Sequence, residues 1–147
     1  MQDSLVFVDS NVVIYVYSQT EKDKQAKASD ILTNYDCLVS TQVLNEYCNV
    51  CIKKNFISVF DIQKDINEIL NNCGFYIVNE TTISKALFVR NRYGFSYYDS
   101  LIVASALECE CSVLSSEDMQ HGQVIENTLK IVNPFLEQNR TTNNAIS

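Results

Sequence analysis

Leu5-Val6-Phe7-Val8-Asp9-Ser10-Asn11 joins a short apolar run to an acid and two small polar residues. A strand that is apolar on both faces is typical of a parallel sheet covered by helices on both sides. Such sheets bind their ligands at the carboxyl ends of the strands, where the strand order reverses. We therefore expect Asp9 to lie at that edge. Its carboxylate can belong to a functional site, or it can serve, like Ser10 and Asn11, as an N-cap of the following helix.

Apolar runs of strand length alternate with longer stretches of helical period along the chain. This alternation predicts an α/β fold in which helices flank a parallel sheet. The predicted strands lie near 4–8, 36–40, 74–78, 111–115 and 129–133, and the predicted helices near 10–18, 22–34, 41–54, 59–72, 82–93 and 97–109. Thr41, Ser58 and Ser96 are the predicted N-caps of three of these helices. Three glycines and one proline leave no linker, so we expect one domain over 1–136 and a disordered tail over 137–147.

The composition of the 147 residues, 46% apolar and 20% charged, is that of a soluble globular protein without a membrane span. The N-terminal residues lack the basic segment of a secretory signal, so we expect a cytoplasmic protein. In that compartment the six cysteines should be free thiols, most of them buried. A structural zinc site is disfavoured because Cys48 and Cys51 form the single CxxC pair and His121 is the single histidine.

The formal charge of −7 by itself argues against a nucleic-acid partner, because phosphate binding normally requires a basic surface. This objection weakens if several acids surround bound cations, which reverse the local field. The basic residues are also clustered, at Lys22, Lys24 and Lys27, at Lys53 and Lys54, and at Arg90 and Arg92. Each cluster can contact phosphate or can be a solvated helix face.

Glu46 lies on the predicted helix 41–54, three residues after Val43 and four before Val50. These spacings place its carboxylate on the apolar face that Val43, Tyr47, Val50 and Cys51 form. A carboxylate in such surroundings must be paired, protonated or bound to a metal. The alternative is an exposed position with a helical ion pair to Lys53 or Lys54.

Asp99 and Asp118 are two further acids, besides Asp9 and Glu46, that are candidates for a functional site. Ile102, Val103 and Ala106 follow Asp99 at helical spacing, which directs the Asp99 carboxylate along a buried face, although Ser96 and Asp99 also have the spacing of a capping box. Asp118 follows the predicted strand 111–115 in a loop, where acids are common. Glu117 can replace Asp118 as the fourth acid.

Asp9, Glu46, Asp99 and Asp118 form a divalent-metal site if the fold brings them together. Two like charges about 4 Å apart repel by roughly 4 kcal/mol at an effective dielectric constant of 20, so converging carboxylates need a cation. Oxygen ligands favour Mg²⁺ or Mn²⁺. A water activated by such an ion can attack a phosphodiester, and no serine or histidine nucleophile is then required.

Four segments together resemble the PIN-domain ribonucleases, and among them the VapC-like toxins of bacterial toxin–antitoxin pairs. The segments are Val6–Tyr15, Val43–Glu46, Phe95–Ala106 and Leu114–Gly122, and with Ile131–Phe135 the likeness extends over residues 4–135. Each segment alone is a weak signal, whereas their order and spacing are specific.

The resemblance implies an endoribonuclease that uses Mg²⁺ or Mn²⁺ to cleave tRNA or other structured RNA. It also implies a five-stranded parallel sheet, a homodimer, and inhibition by an antitoxin whose C-terminal segment reaches the acidic site. Asp9, Glu46, Asp99 and Asp118 would be that site, with Ser10 and Asn11 as small polar neighbours.

Three other interpretations are weighed against this one. A haloacid-dehalogenase-type phosphatase requires Asp-x-Asp after its first strand, but Asn11 occupies the second position. A receiver-like phosphoacceptor requires a second acid near the chain start and a lysine just after the last strand, whereas Lys130 lies at the beginning of the predicted strand 129–133. A catalytically inactive PIN-like module that docks RNA or a protein would also retain the four acids. Metal-dependent RNA cleavage separates that module from an enzyme.

Overall fold

The computed structural model describes residues 4–55 and 57–136, which form an α/β fold. The strands are β1 (Leu5–Val8), β2 (Asp36–Ser40), β3 (Gly74–Tyr76), β4 (Val113–Ser115), β5 (Val124–Ile125) and β6 (Leu129–Val132). The helices are α1 (Ser10–Val16), α2 (Lys22–Asn34), α3 (Thr41–Lys54), α4 (Val59–Asn72), α5 (Glu80–Tyr93) and α6 (Tyr97–Glu108). The predicted alternation is confirmed. The predicted tail, 137–147, lies outside the described residues, and the single domain over 1–136 stays a prediction.

The strands form one sheet in the order β3-β2-β1-β4-β6-β5. β1 lies in the middle and is parallel to β2 on one side and to β4 on the other. The chain therefore moves outward from β1 to β3 and then returns to the opposite side of β1 with β4. The carboxyl ends of β1 and β4 flank the point where the strand order reverses, which is where open parallel sheets bind ligands.

The expectation of five parallel strands is wrong in one respect, because the described residues form six. The additional strand, β5, runs antiparallel to β6. Its connection to β6 contains Glu126 and Asn127, whose φ angles are 51° and 61°. The N–H of Thr128 donates to the carbonyl of Ile125 at 3.1 Å, and positive φ at both residues between them is typical of a type I′ turn. A strand of two residues is too short to show a period, so the sequence pattern did not predict it.

Two of the three predicted N-caps are confirmed. The hydroxyl of Ser58 accepts a hydrogen bond from the N–H of Asp61 at 3.1 Å, and Ser96 begins α6 in the same way. The third prediction is wrong by one residue, because Ser40 is the N-cap of α3. The hydroxyl of Thr41 instead accepts a hydrogen bond from the N–H of Val78 at 3.1 Å, which ties the start of α3 to the chain beyond β3.

The core is densest around the middle strands and α6. Phe7 and Val8 of β1 and Leu114 of β4 are completely buried. In α6 every residue from Ser100 to Ala106 is buried, so the helix that carries Asp99 in its first turn is anchored by its buried middle. Although α6 is this apolar, no helix of the described residues is long and apolar enough to cross a membrane.

The six cysteines are free, and four of them are buried: Cys37, Cys51, Cys73 and Cys111. This confirms the expectation of unpaired, mostly buried thiols. Burial raises the pKa of Cys37 and of Cys111 to about 12, so both thiols stay protonated at neutral pH. Protonated, buried thiols are poor nucleophiles and poor metal ligands.

Candidate active site

Asp9 lies where the sheet reverses its strand order, directly after β1, and only 3% of the residue is exposed. Its Oδ1 accepts a hydrogen bond from the backbone N–H of Ser10 at 2.7 Å, which makes Asp9 the N-cap of α1. Its Oδ2 accepts hydrogen bonds from the Ser116 hydroxyl at 2.7 Å and from the Asn11 amide at 3.2 Å. The two roles proposed for Asp9 are therefore compatible, because it caps a helix and also faces the switch point.

The Asp9 carboxyl is electrostatically unfavourable in its ionised form. Burial is the main cause, and it raises the pKa of Asp9 from 3.8 to about 6 against the lowering effect of the hydrogen bonds from Ser116 and Ser10. The charges of Glu46 and Asp99 add to the increase in pKa. The field of three acids thus converges on this end of β1.

Glu46 belongs to α3 and is half-buried beside Asp9. The Ser10 hydroxyl donates to its Oε1 at 2.6 Å, and the Gln42 amide donates to its Oε2 at 2.9 Å. Ser10 therefore links two acids, with its backbone N–H on Asp9 and its hydroxyl on Glu46. Val50 was expected to be buried on α3 but is only half-buried, whereas Leu44, which the predicted apolar face did not include, is buried.

Asp99 is half-buried in the first turn of α6. Its backbone N–H donates to the Ser96 hydroxyl at 3.2 Å, which is the helix cap expected at this position. Burial raises the pKa of the Asp99 carboxyl, and the charges of Glu46 and Asp118 raise it further, while a side-chain hydrogen bond with Ser96 lowers it. The carboxylate consequently lies within the field of the same acidic group as Asp9.

Asp118 is exposed in the loop after β4, and its Oδ2 accepts a hydrogen bond from the Asn11 amide at 3.1 Å. That amide also donates to Asp9, so Asn11 joins the acid after β1 to the acid after β4. Glu117 points elsewhere, because its carboxylate accepts hydrogen bonds from the Tyr15 hydroxyl at 2.7 Å and from the Lys24 ammonium at 2.6 Å. This geometry favours Asp118 over Glu117 as the fourth acid.

Two residues of this site, Ser116 and Gln42, were not singled out in the sequence. Ser116 is fully buried and donates to Asp9 from the carboxyl end of the adjacent strand. Its position one residue beyond β4 is equivalent to that of Asp9 beyond β1, and this equivalence is the signal that could have identified it. Gln42 lies one helical turn before Glu46, a spacing at which amide and carboxylate side chains meet.

The donor chemistry fits a hard divalent cation, since the converging side chains present carboxylate and hydroxyl oxygens and no sulfur. As the side chains stand, no three histidine, cysteine, aspartate or glutamate residues within 4–55 and 57–136 are arranged to hold a metal ion together. Ser10 joins Asp9 to Glu46 and Asn11 joins Asp9 to Asp118, whereas Asp99 interacts with Glu46 and Asp118 through their charges.

Solved structures with the same fold include a toxin and a toxin–antitoxin complex. A toxin–antitoxin complex from Klebsiella pneumoniae matches with a TM-score of 0.66 and 15% identity over 88% of this chain and 97% of that chain. VapBC2 from Rickettsia felis, bound to a DNA fragment from its promoter, matches with a TM-score of 0.65 and 13% identity over 88% of this chain and 99% of that chain. VapC20 from Mycobacterium tuberculosis, described as a sarcin–ricin-loop-cleaving toxin, matches with a TM-score of 0.62 and 13% identity over 74% of this chain and 86% of that chain. Identities this low establish a shared fold alone.

The sequence itself identifies the family. No curated protein sequence matches the chain significantly. The model of the PIN domain, however, matches residues 6–125, a range that runs from β1 to β5 and includes all four candidate acids. The chain belongs to the PIN domain family.

Proposed function

We propose that this chain is a divalent-metal-dependent endoribonuclease and a toxin of the VapC-like type. The observation that carries the proposal is the coupling of four carboxylates at the switch point of the sheet. Burial is the main cause of the raised pKa of Asp9 and of Asp99, and neighbouring acids raise both further, Glu46 and Asp99 in the first case and Glu46 and Asp118 in the second. Acids that disfavour one another's charge create a strong local preference for a cation.

Asp9, Glu46, Asp99 and Asp118 would hold Mg²⁺ or Mn²⁺ between them. When bound, the ion supplies charge stabilisation for a reacting phosphodiester and lowers the pKa of a water molecule. The chain's own contribution is orientation. Ser116 and Asn11 fix the Oδ2 atom of Asp9, and Ser10 with Gln42 fixes both oxygens of Glu46. Such fixed carboxylates lose little conformational freedom when they bind an ion.

Three further parts of the proposal concern partners. One solved structure with this fold is described as a toxin that cleaves the sarcin–ricin loop, which supports structured RNA as the substrate class, and tRNA is the member of that class proposed from the family resemblance. Another is a toxin–antitoxin complex, which supports a protein inhibitor for this chain. The net charge of −7 favours a basic inhibitor segment through long-range attraction. A homodimer is the oligomeric state proposed from the family resemblance.

Purified protein should cleave tRNA in Mg²⁺ or Mn²⁺, because the four acids would hold an ion that offsets part of their charge and would supply an activated water. Electrophoresis of end-labelled tRNA measures the cleavage. EDTA should stop it and excess Mn²⁺ should restore it, whereas a zinc-selective chelator should leave it unchanged. The same ions should raise the melting temperature, since an ion that binds only the folded state stabilises that state. RNA that stays intact with every metal tested would contradict the enzymatic part of the proposal.

Expression of the wild-type chain alone should arrest bacterial growth, and Asp9→Asn should not. A neighbouring gene should encode a small protein with a C-terminal arginine or lysine segment, because a cation held in the acidic pocket excludes the metal. Co-expression should relieve the arrest and give a complex whose dissociation constant increases with salt. Unimpaired growth on expression of a soluble, folded wild-type chain would argue against the toxin assignment.

A second candidate function is a catalytically inactive PIN module that docks RNA or a protein. The observation that favours it is the arrangement of the acids, which meet hydrogen-bond donors of the protein and form no coordination group among the described residues. A metal-independent complex of the purified chain with RNA, combined with no cleavage, would support this alternative.

A further inference from the structure

An ion pair outside the acidic group ties α2 to the loop after β4. The Lys24 ammonium lies 2.6 Å from Oε2 of Glu117, and the Tyr15 hydroxyl donates to Oε1 of Glu117 at 2.7 Å. The ammonium also donates to the Tyr15 hydroxyl at 3.2 Å and stands over the rings of Tyr15 and Phe135, 4.8 and 5.6 Å from their centroids. Lys24 thus closes a three-residue cluster, which we call the Lys24–Tyr15–Glu117 cluster.

The main chain of Glu117 is anchored in addition to its side chain. Its N–H donates to the Oδ1 of Asn11 at 3.1 Å, and its carbonyl accepts a longer bond from the Asn133 amide at 3.5 Å. Both carboxylate oxygens are already occupied by the cluster, so residue 117 is fixed at four points. The next residue is Asp118. Because Glu117 is fixed, the place of the Asp118 main chain beside the acidic group is restricted as well.

The same contacts determine how Asn11 is oriented. Because the Oδ1 of Asn11 accepts from the Glu117 N–H, its amide nitrogen is directed toward the acids, 3.2 Å from Oδ2 of Asp9 and 3.1 Å from Oδ2 of Asp118. A Glu117 main chain that moved away would free Asn11 to rotate. Both Asp9 and Asp118 would then lose a fixed donor.

The stability that this ion pair contributes is a poor explanation for it. The Lys24 and Glu117 side chains are 33% and 24% exposed, and pairs that reach solvent contribute little to folding. Their geometry is nevertheless restrained, since two aromatic rings and the Tyr15 hydroxyl surround one ammonium. An arrangement that adds little stability but holds a loop beside an acidic site is suited to positioning.

We propose that Lys24, Tyr15 and Glu117 are positioning residues that hold the loop 116–119, and through it Asp118 and Asn11, in the arrangement needed for metal binding. This inference rests on the proposed function. Glu117 is assigned a structural link to α2 and is not itself a ligand. Among the lysines at the start of α2, Lys24 thereby has a role other than that of a solvated surface residue.

Replacing Lys24 by methionine tests the proposal, because methionine keeps the apolar stem but removes the charge. We expect the Mn²⁺ concentration for half-maximal RNA cleavage to increase about tenfold, as is usual when a group that supports a metal ligand is lost. The rate at saturating Mn²⁺ should remain near that of the wild type. The Mn²⁺ concentration for half of the increase in melting temperature should shift by the same factor, which measures binding without RNA.

Arg92→Met is the matched control. Arg92 pairs with Glu126 at 3.1 Å, and Glu126 also accepts from the Tyr93 hydroxyl at 2.6 Å, so a tyrosine-linked ion pair is removed without involving the loop 116–119. Both Mn²⁺ midpoints should be unchanged in this variant. Equal shifts in Arg92→Met and Lys24→Met would reduce the effect to general destabilisation and overturn the proposal.

Variants of Glu117 separate positioning from coordination. Glutamine can still accept a hydrogen bond from Lys24 and form one with the Tyr15 hydroxyl, so the Mn²⁺ midpoint of Glu117→Gln should stay within about threefold of the wild type. Alanine can form neither bond, so Glu117→Ala should shift the midpoint at least as far as Lys24→Met does. A Gln variant that loses Mn²⁺ binding as completely as Asp118→Asn would show that Glu117 is a ligand, and would overturn the proposal.

One readout is independent of nuclease activity and of metal. In metal-free protein, the amide of Glu117 should exchange with solvent faster in Lys24→Met than in wild type, and the amide of Glu126 should be unaffected. Unchanged exchange at Glu117 would overturn the positioning role even in an active enzyme. Faster exchange in a protein that neither binds Mn²⁺ nor cleaves RNA would retain the loop-holding role and reject the proposed function alone.

Discussion

Replacing Asp99 by asparagine is expected to reduce metal-dependent RNA cleavage by at least about a hundredfold. Loss of a group that only supports a metal ligand lowers activity by up to about a hundredfold, and loss of a ligand itself should cost at least as much. Asparagine has the same shape but no charge. The backbone N–H of residue 99, which donates to Ser96, is retained, so the start of α6 should be preserved. Electrophoresis of labelled RNA at several Mn²⁺ concentrations measures the loss.

Thermal melts of the metal-free Asp99→Asn variant provide the control for folding. Burial and the charges of Glu46 and Asp118 already raise the pKa of Asp99, so removing the charge should leave the melting temperature unchanged or higher. A variant that melts well below the wild type would show that Asp99 stabilises the helix. Full cleavage by a folded Asp99→Asn protein would remove this residue from the proposed site.

The metal-free protein is expected to lose stability as the pH rises from about 4 to above 6. Asp9 has a folded-state pKa of about 6 and an ordinary value of 3.8, so the folded state binds the proton more tightly than the unfolded state. Its contribution is present at low pH and is lost as Asp9 ionises. This difference in pKa corresponds to about 3 kcal/mol in the free energy of unfolding. Denaturation in EDTA at a series of pH values measures it.

Asp9→Asn should remove this part of the pH dependence, because asparagine does not titrate. At pH 7.5 without metal the variant should be more stable than wild type. The gain in the free energy of unfolding should be smaller than about 3 kcal/mol. If the amide nitrogen of the new asparagine takes the place of Oδ2, it faces the amide nitrogen of Asn11, and this contact between two donors costs about 1 kcal/mol. Mn²⁺ should stabilise wild type at pH 7.5 and leave the variant unaffected. A metal-free variant less stable than wild type at pH 7.5 would make helix capping the main role of Asp9.

The fold was largely predictable because the informative features are local. Apolar runs of four or five residues predicted the buried parallel strands, and the hydroxyls of Ser58 and Ser96 marked two helix starts correctly. The cap of α3 was placed one residue late, since Ser40 and Thr41 are both suitable caps and tertiary contacts decide between them. The β5–β6 hairpin depends on the backbone angles at Glu126 and Asn127, for which the sequence has no glycine signal.

The candidate site was predictable as far as strand ends could indicate it. Asp9 and Asp118 follow adjacent parallel strands, so their proximity follows from topology once the order of β1 and β4 is known. The choice between Asp118 and Glu117 required the structure, because two consecutive loop residues have no period to orient them. The contact of Lys24 with Glu117 joins residues 93 positions apart, and no spacing within either segment reveals it.

The central claim is that the four acids form a divalent-metal site, and calorimetric titration of Mn²⁺ into metal-free protein at pH 7.5 tests it most directly. Wild type is expected to give a saturable binding curve. Asp9→Asn and Asp99→Asn should abolish that curve, and Arg92→Met should reproduce it. A wild-type protein that binds no Mn²⁺, or two folded variants that bind it as tightly as wild type, would contradict the claim.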